Sequence, residues 1–381
     1  MNPQHEGILQ LVKSALTGKA CSLPINFSLQ EAFPIVCHHG IEAMVYYGAV
    51  YCGFSKSVPG MDKLYQGCVR RILLWERQQQ QIEKLLQTFR ENAIDVLPLK
   101  GVLLRDLYPK PEMRRMGDAD ILIRQTQYPR IKPILESLGY TRAGETDHEI
   151  AWHHPCLRLE LHILLVPERN KLLYHYFGDG WKRAYLKSDH LYVMSPEDTL
   201  VFLVAHVAKH YTAGGIGIQQ FVDLWLYTQT NPQIDQKYLQ QELKKIHLNK
   251  FYFHVMNMLQ MWFAQKQWDS LGVQMTEFVL ASGCYGTGRN AAIAQGAKHK
   301  NIAQRLWASA FPGYGEMKLR YPILGRWPIL LPATWIIRAG NILLLHRNRV
   351  PRKVRNLQIA TEDTIRTLRQ HFDDIGLRSN L

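Results

Sequence analysis

Two carboxylates stand two residues apart in MRRMGDADILI (residues 113–123): Asp118 and Asp120. The run turns apolar after the acids and reads as a strand. Strand side chains alternate faces, which puts both carboxylates on one side with Cα atoms about 6.6 Å apart. Ala119, Ile121 and Ile123 take the opposite face. Two acids on one face repel each other unless a cation sits between them. A hard divalent ion such as Mg²⁺ takes carboxylate and phosphate oxygens together. A third acid, Glu160, lies in LRLELHILL (residues 157–165), where Arg158, Glu160 and His162 alternate with Leu157, Leu159 and Leu161. If the two strands are neighbours, three carboxylates meet on one face. They can then hold two metal ions roughly 4 Å apart, the arrangement that serves in-line phosphoryl transfer. A surface acid pair at a strand edge gives the same spacing.

Upstream, LPLKG (residues 97–101) puts Lys100 and Gly101 where a strand gives way to a helix. Free N–H groups at such a junction favour phosphate, and glycine lets a ligand come close. Lys100 can neutralise a triphosphate as a point charge. An ordinary strand-to-helix turn has the same sequence. His206 and His210 stand four apart and share a helix face. That spacing can bind zinc, but Val207 follows His206, so the HExxH pattern is absent. The pair is expected to pack against the sheet, bonded to Asp223 and lining the site. No GxSxG occurs and no cysteine has an evident histidine partner, which leaves a hydrolase triad without support.

Positioning these residues requires a small mixed sheet. The first 95 or so residues read as helices, the clearest at residues 64–92, where Val69, Leu73, Leu74, Ile82, Leu85 and Phe89 recur at mostly helical spacing. Residues 94–99 and 116–123 read as strands. A helix over residues 126–138 follows, with Thr126 as N-cap and Gly139 as its stop. Residues 149–153 and 157–165 form a hairpin signal around Pro155-Cys156. Strand, helix, strand, helix and two strands imply an α+β sheet with helices on one side. Ser195-Pro196-Glu197-Asp198 opens a second helical region. The expected division is an N-terminal helical region 1–93, a sheet domain 94–194 and a C-terminal helical region 195–381.

Composition narrows the class. The chain of 381 residues is 46% hydrophobic, enough for a real core, and Pro and Gly are ordinary, which excludes disorder and collagen. Six cysteines without a CxxC argue against a disulfide framework or structural zinc, and they fit small buried thiols in a reducing cytosol. The N-terminus lacks the pattern of a secretory signal, so a cytoplasmic location is expected. The net charge of +14 is concentrated: residues 278–361 hold 13 basic residues against a single acid, Glu316. Any anionic partner should be sought there, whether RNA bound through interleaved Tyr285, Trp307, Phe311, Trp327 and Trp335 or an anionic membrane surface. No run reaches the roughly 20 apolar residues that span a bilayer.

Taken together, LPLKG, a Tyr-Pro, RRMGDADILI and ELH resemble the bacterial uncharacterised nucleotidyltransferase family of the DNA polymerase β-like superfamily. The resemblance extends to the Trp-Glu-Arg of the long helix, to HVAKH followed by FVDLWLY around Asp223, and to the FPGYGEMKLRYP and LLPATW runs. It implies a palm-like sheet on which Asp118 and Asp120 bind Mg²⁺ (or Mn²⁺) and Glu160 completes the set or acts as base. An NTP is then the donor, and the acceptor is a small molecule, peptide, sugar, protein or RNA. Lys100 and Gly101 replace the Gly-Ser pair by which many superfamily members hold the triphosphate, with Arg114 and Gly117 beside them. Arg114 takes a phosphate or a structural role, and His162 binds substrate or supports a carboxylate. A scaffold that kept the fold and lost the chemistry is the rival reading.

Overall fold

The computed structural model describes residues 1–264, 266–284, 311–345 and 361–377, with the single positions 286, 290, 293 and 307. Much of the basic segment 278–361, including Tyr285, Lys298, Lys300, Arg305 and all of 346–360, lies outside the described residues. The chain forms two compact units, residues 1–208 with 216–284, and residues 209–215 with 285–379.

The first unit opens with four helices: α1 (Pro3–Thr17), α2 (Leu29–His39), α3 (Glu42–Tyr51) and α4 (Met61–Glu91). Asn2 caps α1 by accepting from the Gln4 N–H. α1 and α3 approach so closely that a Cβ on Gly48 would lie 1.9 Å from the Leu11 carbonyl oxygen. On α4 the apolar stripe buries Ile82, Leu85 and Phe89. Leu73 departs from the expected stripe and is exposed. The buried position goes instead to polar Gln78, whose amide donates to the Met116 carbonyl and accepts from Arg105.

The sheet has seven strands: β1 (Val96–Pro98), β2 (Ala119–Ile123), β3 (Thr141–Glu145), β4 (Glu149–His153), β5 (Arg158–His162), β6 (Ala184–Ser188) and β7 (Leu191–Met194). Their order is β3-β4-β5-β2-β1-β7-β6. β2 and β5 run parallel, as do β1 and β7, and the other neighbours are antiparallel. The fold is therefore α+β around a mixed sheet. Ile121, Leu159, Leu161 and Trp152 point to one face, where α4 and α6 (Tyr128–Ser137) cover them. The opposite face carries polar side chains alongside the buried Leu97 and Leu122.

Three strands exceed the expected set. Every residue of β3 is exposed, so it carries no apolar alternation, and β6 is nearly as exposed. Thr126 does not cap α6; it lies within a 3₁₀ turn at Gln125–Gln127, and the helix has no side-chain cap. Gly139 does take a left-handed conformation after the helix, with φ of 84°. Of the six cysteines, Cys68 and Cys284 are buried and Cys37 is exposed.

α5 (Lys100–Leu104) follows β1, and α7 (Lys171–Phe177) precedes β6. Beyond the sheet come α8 (Pro196–Ala213), α9 (Ile218–Thr230), α10 (Gln236–Lys245), α11 (Asn249–Phe263) and α12 (Ser270–Ser282). Pro196 opens α8, and the Ser195 hydroxyl accepts from the Asp198 N–H as the capping sequence predicts. The second unit includes α13 (Tyr314–Arg320), α14 (Leu331–Leu345) and α15 (Glu362–Asp374).

Candidate active site

The polar face of the sheet is built by strand register. Parallel pairing sets Asp120 against Glu160 and Leu122 against His162. Antiparallel pairing on the other side of β5 sets Glu149 against His162. Residues directly opposite share a face, so Asp120, Glu160, His162 and Glu149 converge. One donor atom from each of Asp120, Glu160 and His162 lies within 4.8 Å of the others.

Around these atoms the contacts are short. The Lys100 ammonium donates to Asp120 Oδ1 at 2.8 Å. His162 Nε2 lies 2.8 Å from the same oxygen and 4.0 Å from Glu149 Oε2. His148 Nε2 stands 3.4 Å from that Glu149 oxygen. Glu160 accepts from the exposed Arg158 guanidinium at 2.8 Å. Lys100 reaches Asp120 from a backbone with φ of 41°. A non-glycine side chain pays for that left-handed conformation, and such strain collects at functional sites.

Asp118 stands beside this trio rather than in it. β2 begins at Ala119, so Asp118 precedes the ladder and is half-buried. Burial and the neighbouring Asp120 charge push its carboxyl up. Burial pushes Glu160 further, to about 7, with Asp118, Glu149 and Asp120 adding to it. Burial works in the same direction on Asp120, but Lys100 and the His162 hydrogen bond outweigh it and hold the carboxyl well below the usual range. Among the described residues, four carboxylates (Asp118, Asp120, Glu149 and Glu160) thus face the cations Lys100 and Arg158, which leaves a surplus of negative charge.

The donor set fits a divalent cation. Carboxylates are ligands for hard divalent ions, and an imidazole widens the set to softer ones. The buried His162 Nδ1 has no hydrogen-bond partner among the described residues. A buried polar atom left so is a mark of an unfilled requirement.

Arg114 is engaged elsewhere. Its Nε and Nη2 donate to the two oxygens of Asp223 at 2.7 and 2.8 Å, and the Tyr108 hydroxyl donates to Asp223 Oδ1 at 2.7 Å. Both guanidinium and carboxylate are buried. The pair ties the segment ahead of β2 to α9. Gly101 is buried, and a Cβ there would meet Met116 Cγ at 2.9 Å and Arg114 Nη1 at 3.0 Å. Its missing side chain therefore makes room for Met116 and Arg114. Gly117 is exposed just ahead of Asp118. His206 and His210 are half-buried on α8 and do not belong to the donor trio.

Sequence reasoning did not single out Glu149 or Tyr108. Glu149 was detectable in principle, since Glu149 and Ala151 alternate with the buried Ile150 and Trp152 on a strand next to Glu160.

The model of a family described as uncharacterised nucleotidyltransferases matches residues 27–264. The chain belongs to this nucleotidyltransferase family. The match takes in every residue of the site just described, and the mixed sheet is consistent with a nucleotidyltransferase palm. The FPGYGEMKLRYP and LLPATW runs lie beyond it. Comparisons with curated proteins and with solved structures give no match. A nucleotidyltransferase needs a place for a phosphate-bearing donor, and the acidic face of the sheet is where its chemistry can be sought.

Proposed function

We propose that this nucleotidyltransferase moves a nucleotidyl group from an NTP to an acceptor, on a divalent cation held by Asp120, Glu160 and His162 with Asp118 beside them. The supporting observation is the Asp120–Glu160 register, with more negative charge than Lys100 and Arg158 balance. Mg²⁺ is the ion of choice, with Mn²⁺ as the alternative that carboxylates also suit. When bound, the ion neutralises the triphosphate and favours attack at phosphorus. Lys100 keeps Asp120 ionised and offers its ammonium to a phosphate oxygen arriving beside it. His162 holds the Asp120 carboxylate in place. Arg114 and Asp223 fix the segment that carries Gly117 and Asp118. The rate gain comes mainly from positioning and charge neutralisation. We read the sheet as a palm of the DNA polymerase β-like kind, a reading its mixed topology supports. An NTP-consuming reaction, together with cysteines that form no disulfide, fits the cytoplasm.

Calorimetric titration with each common NTP, with and without Mg²⁺, tests the reading. Metal-dependent binding to the wild type and its loss in Asp118→Asn/Asp120→Asn is the expected result. Release of pyrophosphate rather than orthophosphate identifies nucleotidyl transfer. A folded wild type that binds no NTP sinks it.

A further inference from the structure

Exposed large apolar side chains are not spread evenly over this chain. Within residues 307–337 they include Trp307, Ile323, Trp327, Ile329, Ile336 and Ile337, and Ile329 and Ile336 are 83% and 75% exposed. They lie in the second unit, around α13, two 3₁₀ turns (Pro322–Gly325 and Pro328–Leu330) and α14: Trp307 precedes α13, Ile323 and Ile329 are in the turns, Trp327 is between them, and Ile336 and Ile337 are on α14.

The arrangement inverts the usual order of a helix on a globular protein. On α14, Pro332, Ala333, Ile336 and Ile337 are exposed, whereas polar Thr334 is buried. The orientation is fixed from inside. Trp335 Nε1 donates to the Pro312 carbonyl at 3.0 Å, and its ring meets Phe311 at 5.1 Å between centroids. The Tyr314 hydroxyl donates to the Leu324 carbonyl at 2.8 Å, and Leu324 and Met317 are buried. This small core points the isoleucines outward. Lys318, Arg320 and Arg326 are exposed on the same elements, and the sequence has no acid from Met317 to Thr361.

We propose that this apolar, basic face of residues 320–337 docks on the surface of an anionic lipid bilayer. Branched aliphatics enter the acyl boundary, Trp327 sits at the interface, and Lys and Arg meet anionic headgroups. Single-stranded nucleic acid would use the charge and the tryptophans by stacking, but it has no use for four exposed isoleucines. A second copy of the chain would bring two surfaces of like charge together. α14 has 15 residues, about 22 Å of helix, short of the roughly 30 Å hydrocarbon layer. Among the described residues no helix is long and apolar enough to cross a membrane. The face therefore lies along the surface.

Flotation of the full chain with vesicles is the test, using phosphatidylcholine alone or with roughly one-quarter phosphatidylglycerol, in about 0.1 M salt. The protein should float with the anionic vesicles and at least about tenfold less with the neutral ones. Ile336→Asp/Ile337→Asp should cut anionic partition at least about tenfold while the thermal unfolding midpoint stays in place. Ile329→Asp, in a turn outside the helix, should cut it several-fold and guards against a misfolded double variant. Absence of flotation, or flotation undiminished by both variants, overturns the proposal. So does a labelled RNA oligonucleotide that binds in place of vesicles and is lost in the same variants. A dimer dissolved by those variants, without vesicle binding, also overturns it.

Discussion

Asp120 and Glu160 face each other as register partners across the parallel strands β2 and β5, yet their charges are held differently. Asp120 receives both the Lys100 ammonium and the His162 imidazole at 2.8 Å. Among the described residues Glu160 accepts a hydrogen bond from the exposed Arg158 at 2.8 Å, and it is pushed up to about 7 by burial and its acidic neighbours. Two carboxylates in one place with their pKa values driven apart divide the work between them. In the proposed reading, Asp120 stays the anion and Glu160 is the group whose charge a bound cation would complete.

Replacing Asp120 by Asn should therefore cost more than losing an outer partner of a metal site, which is typically 10–100-fold. Transfer should fall by at least about a hundredfold, measured as pyrophosphate released from NTP. The same change strips Lys100 of its partner, so the thermal midpoint is to be followed in parallel. A folded, fully active Asp120→Asn protein would remove the site from consideration.

Metal alone should stabilise the fold. A ligand at a hundred times its dissociation constant adds about 2.7 kcal/mol to the folded state. For a unit of this size that is a rise of roughly 5 °C or more in the unfolding midpoint. Mn²⁺ should produce the rise in the wild type, EDTA should reverse it, and Asp120→Asn should abolish it. His162→Ala should weaken it, since the imidazole either binds the ion or holds the Asp120 carboxylate that does. An equal rise in all three proteins would point to binding elsewhere.

The parts of this site that could be read from the sequence are those whose geometry is local. Period-two alternation identified β2 and β5, and it put Asp120 and Glu160 on one face on the condition that the two strands are neighbours, which the parallel register meets. Asp118 lies one residue ahead of the ladder, and its carboxyl still interacts with those of Asp120 and Glu160. β3 escaped because all five of its residues are exposed, leaving nothing to alternate. Glu149 was hidden because its role depends on β4 pairing with β5 in one register, which the run itself does not state. The bond between Arg114 and Asp223 joins residues 109 apart in sequence, and no local pattern reports it.

That bond yields a separate prediction. Arg114 and Asp223 are buried, charged and joined bidentately. Removing one partner leaves a buried charge uncompensated, at roughly 3–5 kcal/mol. Arg114→Ala should lose about that much in urea denaturation, and Arg114→Lys should recover only part, since a single ammonium cannot replace the fork. A phosphate role predicts the reverse pattern, with stability kept and NTP binding lost.

The last prediction concerns acid. His39 is buried, its Nδ1 accepts from the Ile218 N–H at 3.3 Å, and its Nε2 donates to the Leu280 carbonyl at 3.0 Å. Both ring nitrogens are thus used by the neutral form, and burial lowers the pKa to about 4 from an ordinary 6.5. The unfolded chain takes up a proton first as pH falls, so the unfolded state gains. Stability from this group is complete above pH 6.5, declines as pH falls from 6.5 toward 4, and levels off below. The loss should reach up to about 3 kcal/mol, at 1.36 kcal/mol per pKa unit. Urea midpoints measured across that window should fall steeply in the wild type. In His39→Gln they should start lower and fall less, because glutamine keeps an acceptor for Ile218 without binding a proton. A pH profile of equal slope in both proteins would mean that another group carries the acid sensitivity.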